Sequence, residues 1–249
     1  GARLGEIVRR HGIGAIIHLA GLQVPFCIAN PALGARVNVE GTINILQTAR
    51  EAGIRRLAYA SSSAALAIPP GGPWCETLYG VYKRANEYSA HVYWADWQLP
   101  SVGIRPNVVY GVARDQGVSS KNTLAIQAAV LGEPFEIPYT GPYSWLYAGE
   151  AAAAFIAAVS REGEGAPVFD LNGTCETIEN GLAILKRLAP GAQITATGGP
   201  FPFPTDLDDA PIRAHLPDYP SVTPEEGIEA TWRAFRQLAE EGRLPLLPG

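Results

Sequence analysis

The sequence of 249 residues contains no methionine and only three cysteines. Cys27, Cys75 and Cys175 lie far apart without a CxxC pair, which argues against a disulfide scaffold or a zinc site and favours a reducing, cytoplasmic compartment. Without a methionine, Gly1 is not a translation start. We therefore expect that the N-terminus was removed or that the chain is part of a longer one.

Charge is scarce, at 17 % of the residues, and the net charge is −5. An acidic surface repels a phosphate backbone, so we expect no nucleic-acid partner. No apolar run reaches the roughly 20 residues of a membrane helix, and no segment has the charged start, apolar middle and small-residue cleavage site of a signal peptide, so we expect no membrane association. His11, His91 and His215 lack neighbours at metal-ligand spacing, and His18 at a strand end is interpreted as structural; we predict no metal.

Short apolar runs alternate with long helical patterns in the first part of the chain. Apolar runs at 15–20, 56–60 and 101–104 are typical of strands buried on both faces of a sheet. Helices are predicted between them at 31–52 and 78–97. This alternation predicts an α/β fold with a doubly wound parallel sheet.

The pattern changes after residue 111, which suggests two domains, 1–111 and a smaller lobe 112–249. Predicted helices in the second part cover 122–131, 149–160, 178–189 and 224–241, and predicted strands cover 135–138 and 168–171. The pattern leaves open whether the later strand and helices return to the first part.

Tyr79 and Lys83 stand four residues apart on a predicted helix, which places both side chains on one face. A nearby ammonium lowers the pKa of a phenol toward the range useful for proton transfer. Ser63 ends the preceding strand, at the sheet edge where open α/β folds bind ligands. A Tyr–Lys pair at this spacing also occurs by chance on helix surfaces. The serine run 61–63 also allows a hydrolase nucleophile, although no GxSxG elbow is present.

Five motifs follow one another on these predicted elements. They are HLAG at 18–21, VNVEGTIN at 37–44, SSS at 61–63, YGVYK at 79–83 and RPNVVYG at 105–111. In this order they resemble the extended short-chain dehydrogenase/reductase family of the NAD-dependent epimerase/dehydratase type. The resemblance is specific over about residues 15–111. It weakens toward the C-terminus, where TPEEGI at 223–228 resembles the start of that family's final helix.

The resemblance implies an NAD(P)-dependent oxidoreductase or epimerase with Ser63, Tyr79 and Lys83 as catalytic residues. It implies NAD or NADP as cofactor and a sugar-like or small polar hydroxyl or carbonyl compound as substrate. The implied cofactor-binding residues are Leu19, Ala20, Gly21, Gln23, Asn38, Ser61, Tyr79, Lys83, Pro106, Asn107 and Val108. The helices at 31–52 and 78–97 form the dimer interface in many members of this family, so a homodimer is implied as well. A side chain such as Asn38 also has a plain structural interpretation, the satisfaction of a buried backbone group.

The sequence departs from the family in three places. No GxxGxxG loop, which holds the cofactor pyrophosphate, occurs in the 249 residues. We therefore interpret 1–111 as an N-terminally incomplete Rossmann domain that does not bind dinucleotide tightly unless another segment fills the slot. Ala64 and Ala65 replace an acid–base pair, and Val108 replaces an asparagine, which favours a simple dehydrogenase or reductase. A cofactor-free relative that acts as a binding or scaffold protein is the alternative.

The second part offers candidates for a pocket lid by position alone. They are Tyr110, Arg114, Asn122, Tyr143 and Trp145. For Tyr143 and Trp145, a place in the core is an equally good interpretation.

Overall fold

A computed structural model describes residues 1–72, 75–216 and 218–247. The helices are α1 Ala2–His11, α2 Val24–Ala29, α3 Pro31–Ala35, α4 Gly41–Glu51, α5 Leu78–Trp97, α6 Lys121–Leu131, α7 Ala148–Ala158, α8 Ile178–Leu188, α9 Ala210–His215 and α10 Pro224–Glu240. The strands are β1 Ile16–His18, β2 Leu57–Ala60, β3 Val102–Pro106, β4 Val109–Tyr110, β5 Phe135–Ile137, β6 Pro142–Tyr147, β7 Val168–Leu171, β8 Thr174–Thr177 and β9 Ile194–Ala196. The predicted α/β fold with a parallel sheet is confirmed.

The chain divides into two compact units. The first unit contains Gly1–Pro106, Ala152–Leu171 and Asp208–Tyr219. The second contains Asn107–Ala151, Asn172–Leu207 and Pro220–Gly249. The chain therefore passes between the units several times, so neither unit is one continuous stretch of sequence.

The first unit is built on a parallel sheet in the order β1-β2-β3-β7. The strand predicted at 101–104 runs on to Pro106, because β7 pairs with it as far as Leu171. Leu57 and Ile104 are among its fully buried side chains. Burial on both faces explains why β2 and the first part of β3 are apolar runs in the sequence.

The helix predicted at 31–52 contains an irregular turn. Asn30 caps α3 by accepting a bond from the Leu33 amide, and Pro31 occupies the first helical position. A π-helical turn, Arg36–Glu40, then joins α3 to α4. Such turns insert a residue into the helical ladder and are frequent at functional sites. Asn38, at the middle of this turn, is buried.

Two small sheets form the second unit, one in the order β4-β6-β8 and one that pairs β5 with β9. Strands β6 and β8 pair antiparallel, with Tyr143 opposite Glu176 and Trp145 opposite Thr174. Tyr110, Tyr143 and Trp145 pack against one another in the core of this unit, so these three lid candidates are core residues. Asn122 is buried as well, and Arg114 donates to Ser119 Oγ at 2.9 Å.

Candidate active site

Helix α5 carries the predicted tyrosine and lysine in its first two turns. Thr77 caps the helix by accepting a hydrogen bond from the Gly80 amide at 3.0 Å. The ammonium of Lys83 lies 5.6 Å from the centroid of the Tyr79 ring. Tyr79 is half-buried, whereas Lys83 is only 4 % exposed. The helix thus places a cation beside the phenol, as the four-residue spacing predicts.

Lys83 reaches the carboxyl end of β2. Its Nζ donates a hydrogen bond of 2.6 Å to the carbonyl of Ala60, the last residue of β2. Burial lowers the pKa of Lys83 to about 8, and Cys27 acts weakly in the opposite direction. An amine with this pKa changes charge close to neutral pH, which is a property suited to proton transfer.

The predicted serine begins a short turn that packs on α5. Ser63–Ala67 forms a 3₁₀ helix, here called the serine turn, directly after β2. Ser63 is buried in it. A Cβ at Gly80 would lie 2.4 Å from the Ala64 carbonyl oxygen, so only glycine permits this approach. The structure therefore brings the element that carries Ser63 against the helical turn that carries Tyr79.

The loop 19–23 follows β1 and is held by the buried side-chain amide of Asn38. The side chain of Asn38 accepts a bond from the Leu22 amide at 3.0 Å and donates one to the Leu22 carbonyl at 3.1 Å. Leu19, Ala20 and Gly21 are exposed, and Gln23 is half-buried. Asn38 therefore satisfies a backbone group, its plain structural interpretation, and in doing so it fixes the predicted cofactor loop.

Gly21 lies in close contact with one predicted site residue, Asn38, and next to another, Lys83. A Cβ at this position would lie 2.8 Å from Asn38 Oδ1 and 3.5 Å from Lys83 Nζ. The ammonium of Lys83 lies beside this exposed loop residue, where it is suited to donate hydrogen bonds to the hydroxyl groups of a dinucleotide ribose. The nicotinamide half of NAD thus fits the residues present, whereas the 249 residues contain no glycine loop for the pyrophosphate.

Other predicted residues have partners within their own unit. The Ser61 hydroxyl donates to Glu87 Oε1 at 2.5 Å, and Pro106, half-buried, ends β3. In the second unit, Asn107 Nδ2 donates to Asn172 Oδ1 at 2.7 Å. Val108 is part of that unit's hydrophobic core.

His18 lies at the end of β1, where its Nε2 is 3.1 Å from Thr42 Oγ1. Burial, and secondarily the charge of Lys83, lowers the pKa of this imidazole to about 4. Within the described ranges, no group of three or more His, Cys, Asp or Glu side chains is placed to hold a metal ion. None of the helices in that part of the chain is long and apolar enough to cross a bilayer.

Two site neighbours, Gly80 and Glu87, do not emerge from the sequence analysis. Glu87 stands four residues after Lys83 on the same helix face, a spacing that is visible in the sequence. Gly80 follows Tyr79 directly, but its role depends on the serine turn opposite. The sequence signal for Glu87 is therefore a glutamate that follows a lysine by one helical turn.

Comparison with known proteins agrees with this geometry. The sequence model of the NAD dependent epimerase/dehydratase family matches residues 1–171. That match covers more than half of the chain, so the chain belongs to the NAD dependent epimerase/dehydratase family. This family is the one that the five sequence motifs resemble.

Individual relatives match the chain at low sequence identity or over only part of its length. The chain is 28 % identical over 242 residues to UDP-glucose 4-epimerase of Mycolicibacterium smegmatis, covering 90 % of this chain and 77 % of the relative. It is 34 % identical over 117 residues to an uncharacterised protein of Methanocaldococcus jannaschii, 43 % of this chain. That match covers 36 % of the archaeal protein, and two further curated relatives are covered over 29 % of their length.

Solved structures show the same fold. UDP-glucose 4-epimerase from Thermotoga maritima, solved with UDP-glucose, superposes with a TM-score of 0.79 at 20 % identity, over 96 % of this chain and 82 % of that one. The holo form of a GalE-like L-threonine dehydrogenase from Cupriavidus necator gives a TM-score of 0.80 at 21 % identity, over 94 % and 82 %. An epimerase and a dehydrogenase are therefore equally similar to this chain in fold.

Proposed function

We propose that the protein is an NAD(P)-dependent dehydrogenase or epimerase that acts on a hydroxyl or carbonyl group of a sugar-like or small polar substrate. The observation that carries this proposal is the packing of the serine turn against the first turns of α5, where Tyr79 and Lys83 share one face. Two observations support it: Ser63 follows the carboxyl end of β2, and Lys83 binds the carbonyl of Ala60 at that same end, which is where open α/β folds bind ligands.

The proposed mechanism assigns one task to each side chain. Ser63 holds the reacting oxygen of the substrate by a hydrogen bond from its hydroxyl. Tyr79 takes the proton from that hydroxyl, or returns it to the carbonyl, at its phenolic oxygen. Lys83 stabilises the phenolate through its charge and directs the nicotinamide ribose. NAD(P), when bound, supplies the acceptor or donor of hydride.

The substrate remains the open part of the proposal. Ala64 and Ala65, which follow Ser63, carry no acid or base, so elimination of water is disfavoured and simple hydride transfer is favoured. UDP-glucose and L-threonine are suitable probes, because structurally similar proteins are named for these compounds. Epimerisation of the first, or NAD reduction with the second, separates the two reaction types.

The decisive experiment removes the phenolic oxygen of Tyr79. In the protein expressed from its natural gene, Tyr79→Phe should lose most hydride transfer, a decrease of at least about a hundredfold expected for a general acid–base. Tyr88→Phe is the matched control, since Tyr88 lies on the same helix but is exposed. Retained turnover in Tyr79→Phe refutes the assignment. A protein that binds NAD(P) but transfers no hydride to or from either probe favours the non-catalytic alternative.

We also propose a homodimer through the outer face of α5. Val81, Tyr88 and Val92 repeat at intervals of seven and four residues along this helix, and each is more than 40 % exposed. Tyr93 does not contribute, because it packs in the core and donates its hydroxyl to Gln47. Sedimentation of the natural protein as a dimer, and of Val92→Asp as a monomer, is the expected result; a monomeric parent contradicts it.

A further inference from the structure

A buried charge cluster lies beside the proposed site and has no role in the mechanism above. Glu87 is 5 % exposed and accepts four hydrogen bonds. The donors are Ser61 Oγ at 2.5 Å, Arg105 Nε at 2.7 Å, Arg105 Nη2 at 2.8 Å and Arg84 Nη1 at 2.9 Å. Arg105 also contacts Asp170 at 3.4 Å. Two guanidinium groups and two carboxylates therefore balance in charge, as buried ions require.

The cluster joins one helix to the ends of three adjacent strands. Glu87 lies on α5, Ser61 follows β2 directly, Arg105 lies on β3 and Asp170 on β7. On α5, Glu87 follows Lys83 by one helical turn on the same face. The two side chains bind consecutive residues. Lys83 donates a hydrogen bond to the backbone carbonyl of Ala60, and Glu87 accepts one from the side-chain hydroxyl of Ser61.

The geometry points to Glu87 as a positioning residue that seats the Lys83 ammonium, with Ser61 acting as its partner rather than as a contact of the cofactor. Three of the four bonds, those from Ser61 and Arg105, cross from the strand ends to α5 and fix the position of α5 along the end of β2. That position decides whether the flexible lysine stem ends at the Ala60 carbonyl. This inference rests on the proposed function for its catalytic meaning, although the seating itself is a property of the protein alone.

The charge of Lys83 gives a readout that needs neither cofactor nor substrate. The chain contains three lysines, Lys83, Lys121 and Lys186, so ¹³C,¹⁵N-lysine labelling yields three side-chain signals. In the parent protein the Lys83 signal is expected to titrate near 8, because burial lowers the pKa of its amine. The signals of Lys121 and Lys186 serve as internal references.

Glu87→Gln keeps the shape of the side chain but removes the charge that holds Arg105. If Glu87 seats the lysine, the amine gains water and its pKa rises toward the usual lysine value of 10.5 in the folded variant. Glu229→Gln is the matched control, because it breaks an exposed pair with Arg233 on α10 and should leave all three signals in place. An unchanged Lys83 titration in folded Glu87→Gln overturns the proposal.

Ser61→Ala tests the partner with little risk to folding. The double variant Ser61→Ala/Glu87→Gln should shift the Lys83 titration no further than Glu87→Gln alone, because the Ser61 hydroxyl acts only through the carboxylate that Glu87→Gln already removes. Additive shifts, or a Ser61→Ala variant that only weakens NAD affinity, would overturn the assignment of Ser61.

In turnover, the positioning role of Glu87 predicts that Glu87→Gln lowers kcat about tenfold with little change in KM. If the proposed function fails, Tyr79→Phe retains turnover while the lysine titrations still respond to Glu87→Gln.

Discussion

The carbonyl oxygen of Ala64 lies against the α-carbon of Gly80, so close that a methyl group at position 80 would stand 2.4 Å from it. This contact joins the serine turn, which begins with Ser63, to the turn of α5 that carries Tyr79. The distance between the proposed substrate-binding hydroxyl and the proposed base thus depends on a residue that has no side chain.

Gly80→Ala should therefore harm both stability and activity. Either the serine turn or α5 must move, at a cost of about 3 kcal/mol in the free energy of unfolding, and Ser63 moves away from Tyr79. Urea unfolding and turnover with the active probe substrate measure the two effects. Gly41→Ala is the control, because its new Cβ meets only the Arg36 carbonyl at 3.9 Å in a helix. That variant should be stabilised by about 0.5 kcal/mol; equal behaviour of the two variants would contradict the close contact.

Asn38→Ala should release the loop 19–23. The substitution leaves the part-buried amide and carbonyl of Leu22 without their side-chain partner, which costs about 2 kcal/mol in the free energy of unfolding. Hydrogen exchange at Leu22 should accelerate at the same time. Asn180→Ala, at an exposed position on α8, should change the free energy of unfolding by about 0.5 kcal/mol or less. Slow exchange at Leu22 in the Asn38 variant would show that the loop is held by other contacts.

Mild acid should destabilise the protein through His18. The imidazole has a pKa of about 4 when folded and 6.5 when unfolded, so the unfolded chain binds more protons between these values. Stability is therefore fully present above 6.5 and decreases as the pH falls, by about 2 kcal/mol between pH 7 and pH 5. Urea unfolding at both values, with His18→Asn as the comparison, measures this contribution.

The His18→Asn variant should lose less stability than the parent over that interval. Glu87 does not contribute to the difference between the parent and the His18→Asn variant. Burial alone would raise the pKa of Glu87, but the hydrogen bonds from Arg105 and Ser61 outweigh burial and lower the pKa below 4.5. The Glu87 contribution is therefore lost only at lower pH. An identical loss in the parent and in the variant would assign the acid effect to other groups.

The 249-residue chain by itself should bind NAD and NADP only weakly, with a Kd above the micromolar range. Lys83, Tyr79 and the loop 19–23 are proposed to contact the nicotinamide half. The pyrophosphate needs a row of backbone amides at a helix start, and the 249 residues contain no glycine loop that would supply it. Calorimetric titration of both dinucleotides provides the measurement, with the protein from the natural gene as the reference. Micromolar binding to the 249 residues would show that another segment takes the place of the glycine loop.

The fold of the first unit was largely predictable from the pattern of residues. Strand β2 is an apolar run because its residues are buried on both faces of the sheet, and α5 begins where Thr77 caps it. The second unit was less predictable. Strands β6 and β8 were missed because Tyr143 and Trp145 suggested a pocket, whereas their aromatic rings form a core whose partners come from distant parts of the chain.

The sequence by itself determined the family, the parallel sheet and the shared helix face of Tyr79 and Lys83, since these follow from local spacing and from motifs in order along the chain. The tertiary structure alone decided what those side chains touch. Asn38 meets a backbone group 16 residues away, and Ser61 meets Glu87 at a separation of 26. Such contacts depend on how helices lie across strand ends, and no periodicity along the chain encodes that placement.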